Sequence, residues 1–127
     1  MSDASPSLRV AVFGAGGRMG STVCRAVVDD PALDLVAAVD PLRAGLDLHQ
    51  VAGIDLPLEV LAGPEPLADL GVDVAVDFTN AEPGRANLLW LAQHGIHAVT
   101  GTTGFSDQDL ADFEAAEGSL RAQLRAP

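Results

Sequence analysis

Residues 8–20 read LRVAVFGAGGRMG, and the fold of the chain is decided there. Leu8 to Phe13 is a short apolar run, with Val10, Val12 and Phe13, of a length that suits one buried strand. Glycines follow at 14, 17 and 20, with another at 16. An apolar stretch with helical spacing comes next: Met19, Val23, Cys24, Val27 and Val28. Strand, glycine turn and helix in that order open a dinucleotide-binding unit. Gly14 takes the tight turn off the strand. A missing side chain near Gly16 or Gly17 lets a pyrophosphate approach the backbone, and Gly20 lets the helix sit close to the sheet. The amides of the helix's first turn lack intrahelical acceptors and face the phosphates. Read alone, the glycines also fit an ordinary strand-to-helix turn.

Outward from that stretch, DLVAAVD (residues 34–40) gives a second strand over Leu35–Val39, ending in Asp40. The acid stands where such a unit carries a carboxylate for the adenosine ribose hydroxyls. The plainer alternative is a strand-end acid in a turn with Pro41. With the glycine loop upstream, the ribose role is the favoured one. Residues 41–71 are broken by Gly45, Gly53, Pro57, Gly63, Pro64 and Pro66; a short strand over Leu56–Leu61 and a short helix over Glu65–Leu70 are the expectations there. His49 has no His or Cys beside it at ligand spacing, so no metal site is expected.

VDVAVDFT (72–79) reads as a buried strand closed by Asp77, Phe78 and Thr79. Thr79 or Asn80 then caps a helix over about Glu82–His94, which Gly95 ends. Ile96–Val99 is a further strand running into Gly101-Thr102-Thr103-Gly104, a loop rich in donors. Ser106 and Asp109 form a capping-box pattern for a helix reaching about Glu117. The tail GSLRAQLRAP fits a short helix or a poor strand. Alternating strands and helices predict an α/β fold of the Rossmann type, doubly wound, with a mainly parallel sheet of four strands or five. Residues 1–7 are a polar lead-in and residues 8–127 the nucleotide-binding domain. The loops at 14–20, 77–80 and 101–104 then collect on one edge of the sheet.

Composition narrows the partners. The chain has 127 residues, 18 of them acidic against 7 basic, for a net charge of −11; this argues against nucleic acid or an anionic membrane as a ligand. It does not exclude a phosphate, because a local nest and one arginine dominate at short range. All seven basic residues are arginine, so chemistry needing a lysine acid, base or Schiff base lies outside these residues. Cys24 is the single cysteine and falls within the first helix pattern, where a buried small hydrophobe is expected rather than a nucleophile. No signal peptide or membrane-length apolar run is visible, and a cytoplasmic location is expected.

The set VAVFGAGGRMG, VDFTN and GIHAVTGTTGF resembles the 4-hydroxy-tetrahydrodipicolinate (dihydrodipicolinate) reductases of the diaminopimelate route to lysine, over residues 9–105. The resemblance implies hydride transfer from NADH or NADPH to a cyclic imine dicarboxylate. It also implies an N-terminal cofactor domain and a C-terminal domain that binds substrate and builds a homotetramer. By motif, Gly14, Ala15, Gly16, Gly17, Arg18, Met19 and Gly20 would hold the pyrophosphate, and Asp40 the ribose. Phe78 and Thr79 would line the cleft. Gly101, Thr102 and Thr103 would lie near the nicotinamide, with Thr103 also reaching a substrate carboxylate. Some relatives carry Glu followed by Arg at the ribose position. Pro41 follows Asp40 here, and Arg18 is left as a contact for a 2′-phosphate, so the choice between NADH and NADPH stays open. The family's His-His-x-x-x-Lys-type segment and Gly-Thr substrate loop are not in these residues, and no catalytic residue is assigned. The expectation is an N-terminal portion of the reductase that binds cofactor and is nearly inactive alone. A non-catalytic dinucleotide-binding module and a piece of another nicotinamide-dependent dehydrogenase are the alternatives.

Overall fold

A computed structural model of the chain describes residues 7–101 and 104–125, from 117 onward as backbone. Strand β1 (Leu8–Phe13) leads through the glycine turn into helix α1 (Arg18–Asp29), and β2 (Leu33–Val39) follows. After a short helix α2 (Leu48–Ala52) come β3 (Val74–Asp77), α3 (Ala81–Gln93), β4 (His97–Thr100) and α4 (Asp107–Arg125). The sheet order is β2-β1-β3-β4, and every pairing is parallel. The chain therefore leaves β1 toward β2 and returns to pair β3 on β1's other side. The cleft between the carboxyl ends of β1 and β3 is the switch point of the sheet.

Alternation along β1 builds two cores. Val10 and Val12 pack with Leu35, Ala38, Cys24 and Val27 on the α1 face, where Leu48 of α2 is also buried. Ala11 and Phe13 pack with Ala37, Val39, Leu67, Leu88 and Leu91 on the α3 face. Both faces of the sheet are covered, which is the doubly wound arrangement. Leu35 and Ala38 share a face although they are three apart, because the register slips: Val10 pairs with Leu35 but Ala11 with Ala37. Val36 is the extra residue of a β-bulge, and past it the inward phase of β2 is reversed.

Several local expectations are corrected. Leu56–Leu61 forms no strand; it contributes isolated bridges only, Leu61 to Val39 and Glu59 to Asp47. The helix expected over Glu65–Leu70 is a 3-10 helix over Glu65–Asp69. Helix α2 lies in the stretch read as loop; Asp47 caps it, accepting the His49 amide while Gln50 reaches back to the Asp47 amide. Met19 is 53% exposed and Val28 is exposed too, so α1 buries Gly20, Cys24 and Val27 instead. Helix α4 runs past Glu117 to Arg125, so residues 118–125 of the tail take the helical alternative. All four residues of β4 are exposed, as an edge strand's are. Among the described residues no helix is long and apolar enough to cross a membrane.

Candidate functional site

The glycine turn is fastened to the end of β2. The Gly14 and Ala15 amides both donate to the Val39 carbonyl, at 2.8 and 3.3 Å, and the Gly17 amide to the Gly14 carbonyl at 3.0 Å. Gly14 has φ +80°, and a Cβ there would stand 2.9 Å from the Phe78 carbonyl oxygen. At Gly20 a Cβ would fall 1.8 Å from the Gly14 carbonyl oxygen, so α1 presses directly on the turn. These two glycines are needed for packing. At Gly17, by contrast, the only neighbour within 4 Å of such a Cβ among the described residues is the Gly14 carbonyl oxygen, at 3.4 Å. The first intrahelical bond is Ser21 N–H to the Gly17 carbonyl, so the Arg18 and Met19 amides precede the ladder. Among the described residues no side chain caps this helix start, and its first turn holds no acid, in a chain with 18 of them. A bare amide cradle of this kind suits a diphosphate.

Asp40 comes to the same place from the end of β2. It is buried, and its Oδ2 accepts the Gly16 amide at 2.9 Å and Arg43 Nη1 at 3.1 Å; Oδ1 accepts the Leu42 amide at 3.1 Å. The plainer reading, a strand-end acid in a turn, is realised. It caps the 3-10 turn Pro41–Arg43, and it stands beside the glycine loop. Arg43 is the residue that the sequence did not reveal. Its Cδ would lie 2.1 Å from a Cβ on Gly16, so its stem covers that glycine.

The second loop joins the first through Phe78. The Phe78 amide donates to the Phe13 carbonyl at 3.0 Å, its own carbonyl abuts Gly14, and its ring abuts Gly101, where a Cβ would meet Cε1 at 2.3 Å. Below it, Asp77 is fully buried. Its Oδ1 accepts the Thr79 hydroxyl at 2.6 Å and the Thr79 amide at 3.1 Å, while Oδ2 has no hydrogen-bond partner among the described residues. Burial pushes the Asp77 pKa up; the hydrogen bonds from Thr79 offset part of that, with a smaller pull from the side chain of Asn87. The Asp77 carbonyl accepts the Gly101 amide at 2.9 Å and holds the start of the third loop.

That loop is fixed again at its far end. The capping box is present: the Asp109 amide donates to Ser106 Oγ at 3.0 Å, and the Ser106 amide to Asp109 Oδ2 at 2.9 Å. Arg85 of α3 holds the same carboxylate from Nε at 2.7 Å and lowers its pKa. The Phe105 ring meets Phe113 edge-on at 5.4 Å. Thr102 and Thr103 lie outside the described residues. The remaining site residues, Gly14 to Gly20, Asp40, Phe78, Thr79 and Gly101, are joined in one chain of contacts at the carboxyl edge of the sheet. The histidines stand apart from them: His49 lies in α2, His94 stacks on Trp90 at 3.8 Å, and His97 is exposed on β4. No cluster of three potential metal ligands occurs among the described residues. Cys24 is buried and its pKa is pushed up to about 11, which leaves the thiol inert.

The sequence profile of the family described as "Dihydrodipicolinate reductase, N-terminus" matches residues 8–126. The chain belongs to this family. Within the dihydrodipicolinate reductase family, the chain is similar to the 4-hydroxy-tetrahydrodipicolinate reductase of Dictyoglomus turgidum, 36% identical over 108 residues, which are 84% of this chain and 40% of that protein. The chain thus spans about two fifths of the length of the curated relatives it matches. Its backbone resembles a dipicolinate-bound dihydrodipicolinate reductase from Paenisporosarcina sp. TG-14, with TM-score 0.71 and 26% identity over 87% of this chain and 43% of that one. It also resembles GenD2 from gentamicin A biosynthesis, solved in complex with NAD, with TM-score 0.71 and 26% identity over 94% of this chain and 34% of that one. Family and fold together put the chain in the superfamily of NAD(P)-dependent oxidoreductases.

Proposed function

We propose that this chain is the NAD(P)H-binding part of a 4-hydroxy-tetrahydrodipicolinate reductase, acting in lysine and diaminopimelate biosynthesis in the cytoplasm. The observation that carries the reading is the acid-free, uncapped start of α1 behind a glycine loop, with the Asp40 carboxylate beside it. The Arg18 and Met19 amides would hold the diphosphate, which the missing side chain at Gly17 lets come close to the loop, and Asp40 would hold the adenosine ribose. Phe78 and Gly101 would face the nicotinamide half, with Thr79, Thr102 and Thr103 completing the cleft. When bound, the reduced nicotinamide supplies hydride to an imine carbon. The chain's own work is to orient that ring, since Phe78 and Gly101 are wedged together and Thr79 is pinned to Asp77. The imine substrate carries two carboxylates, which call for cationic partners. Thr103 would reach one of them. The intact homotetrameric enzyme, in this reading, supplies the rest.

Titration calorimetry of the chain with NADH, NADPH and ATP tests the reading. Saturable binding of a nicotinamide dinucleotide, with ATP weaker, is expected. No binding of either dinucleotide overturns it. Imine reduction by the 127-residue chain alone is expected near background; an ordinary enzyme rate would contradict its being only the cofactor half.

A further inference from the structure

The Asp40 carboxylate is already in use. A carboxylate offers about four acceptor positions. Here the Gly16 amide, the Leu42 amide and Arg43 Nη1 fill three of them, at 2.9, 3.1 and 3.1 Å. A ribose that presents two hydroxyls to this group needs at least one position vacated. The two amides belong to the glycine loop and to the 3-10 turn and cannot leave without undoing them. Arg43 can leave: its side chain is 41% exposed, and Gly45, with φ +88° and nothing within 4 Å of a Cβ among the described residues, follows it closely in the chain. Its stem also lies over Gly16, in the glycine loop itself.

We propose that Arg43 decides whether this site takes a 2′-phosphorylated dinucleotide, an inference that rests on the dinucleotide-binding reading above. In the free chain the guanidinium occupies Asp40 and covers Gly16. As the adenosine end arrives, Arg43 swings off the carboxylate. A 2′-hydroxyl then faces Asp40 directly. A 2′-phosphate brings up to two negative charges beside a buried carboxylate and needs a cation within reach. Arg43 starts 3.1 Å from the Asp40 oxygen, and its planar fork matches phosphate geometry. Pro41, directly after Asp40, has neither charge nor donor, so the function passes to the residue that the 3-10 turn brings back over the loop. Arg18 stands on α1, on the diphosphate side, and makes no ion pair with Asp40 among the described residues.

Calorimetry with NADPH and with NADH, on the full chain and on Arg43→Gln, Arg43→Lys and Arg18→Gln, tests this, with circular dichroism as the check of folding. Arg43→Gln is expected to lower the NADPH-to-NADH affinity ratio by about tenfold, the size of one charged hydrogen-bonded contact. Arg43→Lys keeps the charge without the fork and lowers the ratio by less. Arg18→Gln weakens both dinucleotides alike. An unchanged ratio in both Arg43 variants, or a fall confined to Arg18→Gln, overturns the assignment while leaving dinucleotide binding intact. If Arg43→Gln does not fold, an unchanged ratio in Arg43→Lys overturns it. Binding of neither dinucleotide by the unaltered chain sinks the underlying reading and this inference together.

Discussion

Gly16 and Gly20 sit four residues apart and answer to different constraints. A methyl group on Gly20 would enter the Gly14 carbonyl, which is backbone and cannot yield. Gly20→Ala is therefore expected to cost about 3 kcal/mol or more, read as a fall in the urea midpoint. On Gly16 the methyl would meet side chains instead: the flexible Arg43 stem, and the buried Asp40 Oδ2 at 2.7 Å. Gly16→Ala is expected to cost about 1 kcal/mol in urea unfolding, less than Gly20→Ala, and to weaken NADH in calorimetry, because the methyl displaces Arg43 and crowds Asp40. Asp77 sets a pH dependence of its own. Its folded pKa is raised, so above about pH 3.9 the native chain binds more protons at this group than the unfolded one does. The contribution of Asp77 to stability consequently falls as pH rises through the folded pKa. Asn at this position keeps an oxygen for Thr79 and removes the titration. Thermal melts of Asp77→Asn and wild type should therefore diverge in the variant's favour from pH 4 to pH 8. A constant difference would show that burial of this carboxyl does not govern the slope. Asp109 acts in the opposite sense: its pKa is lowered by Arg85, and what it contributes is lost as pH falls.

Helix α4 begins with a capping box whose donors and acceptors are all in place. Ser106→Ala is expected to cost about 1 kcal/mol in urea unfolding, with little change in the rest of the sheet. This motif was legible from two residues at the right spacing, as was the glycine turn, because both are local. The four parallel strands and the loops gathered at their carboxyl ends were legible for the same reason: short apolar runs alternate with helical spacing. The bulge in β2 was not. Nothing in DLVAAVD marks Val36 as the residue to be skipped; the pairing with β1 decides it. Helix α2 was hidden because it is a single capped turn and a half with one buried residue, Leu48. Leu56–Leu61 looked like a strand because it is apolar, yet its partners are scattered single bridges. Of the site, the glycines and Asp40 could be read from spacing. Arg43 could not, because a 3-10 turn folds it back onto a loop far upstream in the sequence.

At the scale of the molecule, charge opposes the proposed ligand. The net charge is −11, and a dinucleotide is an anion. Screening shortens the reach of that repulsion from about 30 Å at 0.01 M salt to about 8 Å at 0.15 M. Stopped-flow fluorescence should therefore show NADPH associating faster as salt rises across that range, although the contact with Arg43 itself is weakened. A rate that falls with salt would mean that the local arginines, not the whole surface, steer the encounter. Phe78 has an effect at this scale that its neighbours lack. Its main chain is wedged under one glycine and its ring under another, in loops that follow different strands. The two loops are therefore mechanically one part: a disturbance at Gly101 is passed to Gly14 through Phe78, and neither glycine is free to change unless the other side gives way.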